Sequence, residues 1–221
     1  MRKVVVAIDG PAAAGKSTIA KEVARRLNYT YIDTGAMYRA VTLYCLENGI
    51  DCENEKEVDT VLDKINIELK PEHLVLLNGK DVSFDIRSRL VNANVSYIAS
   101  YKNVRLFLVE QQRKMAETTS VIMDGRDIGS YVLPNADVKI FQIASVETRA
   151  ERRHKENLEK GIEGSLESIK AELEKRDYID SHRDFSPLTK AEDAIELDTS
   201  FMSIEEVVNE VLSIINEKVG N

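Results

Sequence analysis

The sequence predicts a three-layer α/β fold: a five-stranded parallel sheet covered by helices on both faces. Three observations carry that expectation. Val4-Val5-Val6-Ala7-Ile8 is a short apolar run that leads into the loop GPAAAGKST, Gly10–Thr18, and then into helical periodicity. Four further short apolar runs recur along the chain, separated by stretches that read as helices. One stretch, Asn66 to Phe84, breaks this alternation and reads as small antiparallel strands inserted into the main fold.

The elements follow in order. After Lys16 a helix runs through Leu27, with Ile19, Ala20, Val23, Ala24 and Leu27 on one face. Tyr29 to Thr34 is a second strand. A helix follows from about Ala36 to Asn48, and Gly49 supplies its stop. Glu53 to Ile65 is charged and amphipathic and predicts another helix. Within the insertion, Asn78-Gly79 is the tight turn between LVLL and KDVSF. Ile86 to Ala116 returns to helical periodicity as two helices parted near Ser100. Val121–Asp124 and Val138–Ile143 are the third and fourth strands. From Val146 to about Arg183 the chain is highly charged and helical, broken at Gly161-Ile162-Glu163-Gly164. Ala194–Asp198 is the fifth strand. Ser203 to about Lys218 closes the chain as an amphipathic helix, with Ser203 as N-cap and Glu206 in the capping-box position.

Composition narrows the function. The 221 residues are 43% hydrophobic and 31% charged, as expected of a soluble globular protein with a substantial core. A net charge of −8 argues against polymeric nucleic acid or an acidic membrane as partner. An anionic substrate therefore needs local arginine clusters. Cys45 and Cys52 have no further cysteine to complete a metal or disulfide framework, and Cys45 reads as a buried helix residue. Met1-Arg2-Lys3 leads directly into the first strand, and no apolar run approaches the roughly 18 residues of a membrane span. The expectation is a cytoplasmic protein. With no long apolar stripe suggesting an obligate dimer, a monomer is expected.

The chemistry begins with the glycine-rich loop, which matches G-x-x-x-x-G-K-[ST] between a strand and a helix. Gly10, Pro11, Ala12, Ala13, Ala14, Gly15, Lys16, Ser17 and Thr18 are expected to hold a nucleoside triphosphate. Main-chain N–H groups and the helix dipole favour the anion. Lys16 serves the β- and γ-phosphates, and Ser17 can ligate Mg²⁺. Asp124, at the end of the third strand, is a second ligand candidate, acting through water. Gly125 gives room beside phosphate and Arg126 offers a planar fork for it. The block Asp124–Asp127 also reads as a polar turn with a surface ion pair. In Asp33–Arg39, Thr34 and the first helical N–H groups can bind a second phosphate, with Arg39 one turn along; the block also reads as a capped helix with an exposed arginine. Arg149, Arg152 and Arg153, then Arg176, Asp177, Asp180 and Arg183, suit an arginine-bearing lid that closes over a phosphoryl group, with the Gly161/Gly164 break as hinge or tip.

The blocks GPAAAGKST, YIDTGAMYR, DVSFDIR, DGRDIGSYVLPNADVKIF and RDYIDSHRDFSPL, in this order and spacing, resemble the bacterial cytidylate kinases over nearly the whole chain. The resemblance implies a core of residues 1–36, 101–150 and 185–221, a nucleoside-monophosphate-binding insertion over 37–100 and a lid over 151–184. It implies phosphoryl transfer from ATP to CMP or dCMP with Mg²⁺. Thr34, Arg39, Arg126 and Arg183 would hold the acceptor phosphate. Ser96, Arg105 and Asp127 would read cytosine, and Arg176 and Asp180 would contact the sugar. Lys16, Arg126, Arg153 and Arg183 would stabilise charge during transfer. The family more often has Ser where Thr34 stands, and more charge where Tyr178-Ile179 stands. Two rivals remain: a P-loop kinase for another small acceptor such as UMP, and a nucleotide-hydrolysing switch. The insertion and the DGRD block weigh against the first, the second anion site and the rich arginine set against the second.

Overall fold

A computed structural model describes residues 2–70, 73–159 and 161–220. The chain divides into two compact units, Met1–Tyr31 with Ala116–Asn221, and Ile32–Met115.

The first unit is organised by the five-stranded sheet. Its strands are β1 (Val5–Asp9), β2 (Thr30–Asp33), β6 (Val121–Gly125), β7 (Val138–Ile143) and β8 (Ile195–Asp198), in the order β2-β6-β1-β7-β8. β1 is central and pairs in parallel with β6 and β7, and β8 extends the sheet from β7. Strands in such a sheet are buried on both faces, which is why Val6, Ala7 and Ile8 lose all solvent contact. One face is covered by α1 (Lys16–Leu27) and α8 (Ile204–Val219). Ile19 and Val23 meet Val6 and Ile8 in one core with Val208, Val211 and Ile215. The expected capping box forms: Ser203 accepts from the Glu206 N–H, and Glu206 accepts from the Ser203 N–H at 2.8 Å. α6 (Val146–Glu159) and α7 (Leu166–His182) pack together through Ala150, Ile169 and Leu173, with Ala12 of the loop after β1 in the same cluster. Parallel strands bring their carboxyl ends to one edge, so the loops after β1 and β6 both open there.

The second unit holds α2 (Thr34–Glu47), α3 (Glu55–Asp59), the antiparallel strands β3 (Ile67–Leu69), β4 (Val75–Leu77) and β5 (Lys80–Asp81), then α4 (Arg89–Ser100) and α5 (Lys102–Ala116). Asn78 and Gly79 take φ of 49° and 81°, the left-handed pair that a two-residue hairpin needs. Val104 and Leu108 of α5 share one core with Met37 and Val41 of α2 and with Ile67 and Val75 of the small sheet. Cys45 and Cys52 are both free and buried there.

Two elements differ from the sequence reading. Glu53 to Ile65 is not one helix but α3 followed by a 3₁₀ turn, Leu62–Lys64. Thr60 donates both its N–H, at 3.2 Å, and its hydroxyl, at 2.7 Å, to Glu57 O, and Val61, Lys64 and Ile65 likewise bond three residues back, so the chain tightens out of α-helical bonding. Ile128–Val132 forms a π-helical turn that periodicity did not announce.

Candidate active site

The loop after β1 is shaped by backbone conformation. Gly10 has φ +148°, and a Cβ there would collide with the main-chain carbonyl of Gln142, so only glycine fits. Ala13 at +56° and Gly15 at +90° add left-handed turns, the conformation that curls N–H groups toward an anion. α1 then starts at Lys16 with no side-chain cap, leaving its first N–H groups available to a phosphate. Lys16 Nζ donates to Pro11 O at 2.7 Å. Burial, then the nearby Arg126 charge, pushes its pKa down to about 7.

The loop is braced from behind. Gln142 Nε2 donates to Ala14 O at 2.6 Å, and Arg152 donates to Thr199 O at 2.6 Å beside it. Ala12 N–H donates to Asp177 Oδ1 at 3.1 Å. Arg149 donates to Ala12 O at 3.1 Å, to Ala144 O at 2.9 Å and to Asp177. Arg149 was expected among the lid arginines. It is instead buried and committed to loop carbonyls, which corrects that reading.

Ser17 and Asp124 meet as expected. Ser17 Oγ donates to Asp124 Oδ2 at 2.8 Å, and Tyr31 Oη donates to Asp124 Oδ1 at 2.7 Å. Both are hard oxygen ligands. Among the described residues no cluster of three His, Cys, Asp or Glu gathers.

Arg126, Arg176 and Arg183 gather around Asp180, with Asp127 beside Arg183. Arg126 Nε donates to Asp180 Oδ2 at 2.9 Å. Arg183 lies 3.7 Å from Asp127 and 4.0 Å from Asp180, and its Nε donates to Ser186 O at 2.7 Å. Ser186 also donates its hydroxyl to Asp127. Burial would raise the Asp180 carboxyl, but Arg126, Arg176 and Arg183 together hold it below the usual range. Burial, then Arg126, pushes Arg176 down to about 10. The Arg176 Nε is buried and meets no hydrogen-bond partner among the described residues. Three guanidiniums thus share Asp180 and Asp127, with Asp177 also acting on Arg126 and Arg176, a concentration of planar donors suited to an anion. Arg153 is half-buried and pairs with Glu156 at 3.6 Å. The alternative of a surface ion pair at Asp124–Asp127 does not hold, since Asp124 and Asp127 are buried.

One residue of this region escaped the sequence reading. Asp9 ends β1 fully buried and accepts from Ile128 N–H at 2.8 Å and Gly129 N–H at 2.7 Å. Burial raises its pKa to about 7 against the pull of those two bonds. The only signal in the sequence was a carboxylate closing an apolar strand.

The second unit holds the other acceptor candidates. Asp33 caps α2, accepting from Ala36 N–H at 2.9 Å, and Thr34 is buried in the first turn. Arg39 is half-buried, reaching Asn92 Oδ1 at 3.2 Å and Gly35 O at 3.4 Å, so it is not the exposed arginine of the alternative reading. Ser96 is buried, and its Oγ meets no hydrogen-bond partner among the described residues. Arg105 is nearly inaccessible, donating to Ala99 O at 2.9 Å with its guanidinium 5.4 Å above the Tyr38 ring.

A phosphate loop after the central strand of a parallel sheet, an uncapped helix start and an arginine cluster define the first unit as that of a P-loop phosphotransferase. The chain belongs to the cytidylate kinase family, whose model matches residues 6–217. It is 53% identical to a cytidylate kinase of Anoxybacillus flavithermus over 99% of this chain and 98% of that one. It is 54% identical to a cytidylate kinase of Bacillus cytotoxicus over 98% and 97%. In fold it is similar to a gluconokinase from Sinorhizobium meliloti, with a TM-score of 0.51, 14% identity and coverage of 98% and 94%.

Proposed function

We propose that the chain transfers the γ-phosphoryl group of ATP to CMP or dCMP, giving ADP and CDP or dCDP. The observation that carries the reading is the pairing, within one unit, of an open phosphate loop with three arginines, Arg126, Arg176 and Arg183, gathered around Asp180. A hydrolytic switch needs the first and has no use for the second.

Gly10 to Thr18 hold the triphosphate, with main-chain N–H groups of Ala13 to Ser17 as donors while the Ala12 N–H stays on Asp177. Lys16 leaves Pro11 O to meet the β- and γ-oxygens, whose negative charge offsets the burial that lowers its pKa. Ser17 and Asp124 would hold Mg²⁺, which when bound neutralises charge on the nucleotide phosphates. Thr34, Arg39, Arg126 and Arg183 bind the acceptor phosphate. Arg176 and Asp180 contact its sugar. Ser96, Arg105 and Asp127 read cytosine, where a carboxylate accepts from the exocyclic amine that uracil lacks. A phosphate oxygen of CMP attacks in line. Arg126, Arg153 and Arg183 balance the developing charge, and α6 and α7 serve as the lid that keeps water out. Residues 37–100 form the monophosphate-binding insertion of this reading, and 151–184 the lid. The enzyme acts as a cytoplasmic monomer. Two free buried thiols suit a reducing compartment, and no helix of the described residues is long and apolar enough to cross a membrane.

The test is ADP formation from ATP with CMP, dCMP, UMP, AMP or dTMP supplied in turn. Release that needs CMP or dCMP supports the reading. Release independent of every acceptor would sink it, and a clear preference for UMP would reassign the base.

A further inference from the structure

Asp9 is buried, titratable and absent from the steps above, yet both its oxygens are used. Oδ1 takes the N–H of Ile128 at 2.8 Å and Oδ2 the N–H of Gly129 at 2.7 Å. These two amides open the π-helical turn, where main-chain donors have no partner within the turn itself. They directly follow Arg126-Asp127. On its other side Asp9 adjoins Gly10, the first residue of the phosphate loop. The Asp127 side chain is held from elsewhere, by Ser186 and Arg183, while its main-chain carbonyl accepts from Tyr131 and Val132 of the same turn at 2.9 and 3.1 Å. The packing beneath is tight. A Cβ at Gly129 would lie 3.4 Å from Asp9 Oδ2 and 3.1 Å from the Lys139 stem.

We propose that Asp9 is a positioning residue that fixes the Arg126-Asp127 turn against the strand carrying the phosphate loop, and so sets acceptor recognition from the donor side. The inference rests on the reading of Arg126 and Asp127 as acceptor contacts. Asp9→Asn keeps the shape and one acceptor but turns an NH₂ group toward the second amide. That loses one of the two main-chain bonds and faces donor with donor.

The test is steady-state kinetics with ATP and CMP each varied, repeated with UMP, beside thermal unfolding. For Asp9→Asn the KM for CMP is expected to rise about tenfold, the scale of one lost hydrogen bond. The KM for ATP is expected to stay within about twofold, and the preference for CMP over UMP to narrow. Should that variant fold poorly, Gly129→Ala displaces the same turn by crowding the Lys139 stem while the Asp9 carboxyl stays in place, and a milder split of the same direction is expected. An unchanged KM for CMP in the folded variant would overturn the inference, as would equal rises for ATP and CMP, which mark a merely structural part. Asp127→Ala run alongside separates the two readings. If it leaves CMP-over-UMP preference intact, the base-reading assignment of Asp127 fails, whereas the CMP KM of Asp9→Asn still decides the positioning role.

Discussion

Replacing Asp180 by Asn should destabilise the empty enzyme and make it more responsive to phosphate. Asp180 is 4% exposed and is the shared counter-ion of Arg126, at 2.9 Å, and Arg183, at 4.0 Å, with Arg176 also acting on it. Asn preserves shape and one acceptor oxygen but removes the carboxylate that three guanidiniums share, with Asp127, Asp177 and Asp124 still acting on them. Removing one partner from a buried ion pair costs about 3–5 kcal/mol. The Arg126 side chain keeps 21% exposure, so water recovers part of that loss. A net cost of about 2–4 kcal/mol is expected. For a chain of this size that lowers the melting temperature by roughly 5–15 °C. The Asp180 pKa is depressed in the fold, so its stabilisation is fully present above the unfolded carboxylate pKa. It is lost as pH falls through the depressed value, and the comparison therefore belongs near neutral pH. Thermal unfolding with and without inorganic phosphate is the assay. A ligand at a hundredfold its Kd stabilises by about 2.7 kcal/mol. At one fixed phosphate concentration, the variant should gain more than the unchanged chain, because its arginines lack their carboxylate. A fall of less than about 2 °C, or a smaller phosphate gain in the variant, would refute the view of Asp180 as counter-ion to an anion site.

Two further outcomes are expected. Lys16, with its pKa lowered to about 7, is roughly half neutral near neutral pH, and a bound triphosphate restores its charge. ATP binding should therefore take up about half a proton at pH 7, seen as a buffer-dependent enthalpy in calorimetry; proton release would contradict it. Gly10→Ala puts a Cβ onto the Gln142 carbonyl at a φ of +148°, and should cost several kcal/mol, about 3 or more. A denaturation midpoint equal to that of the unchanged chain would show that the loop relaxes freely.

The parts of this molecule legible from sequence are those whose physics is local. GPAAAGKST announces its loop because glycine spacing and a lysine at a helix start leave few other uses. Ser203 and Glu206 announce a helix start because capping involves neighbours three residues apart. Asn78-Gly79 announces its hairpin because few residue pairs tolerate two left-handed conformations. The illegible parts depend on distant chain segments meeting. Nothing near Arg149 says that it will be spent on Ala12 O rather than on a phosphate. Nothing near Asp9 says that amides at 128 and 129 will reach it. Glu53 to Ile65 has helical periodicity, but its end is pinned by Asn78, in a hairpin further along, whose side chain donates to Lys64 O and accepts from the Asn66 N–H. The arginine cluster was legible as composition, whereas the sharing of Asp180 between Arg126 and Arg183 was not.

The phosphate loop does its binding with main-chain N–H groups, and that limits how it can be interrogated. Three of its residues, Ala12, Ala13 and Ala14, are already alanine, so an alanine scan passes over the heart of the site without a signal. Side-chain truncation reports Lys16 and Ser17 and nothing of the cradle that precedes them. The cradle answers only to changes that alter the backbone itself: a Cβ where glycine is required, a proline that removes an N–H, or an ester in place of an amide. A map of this enzyme drawn from side-chain substitutions alone would therefore credit the arginines with work that the peptide chain performs.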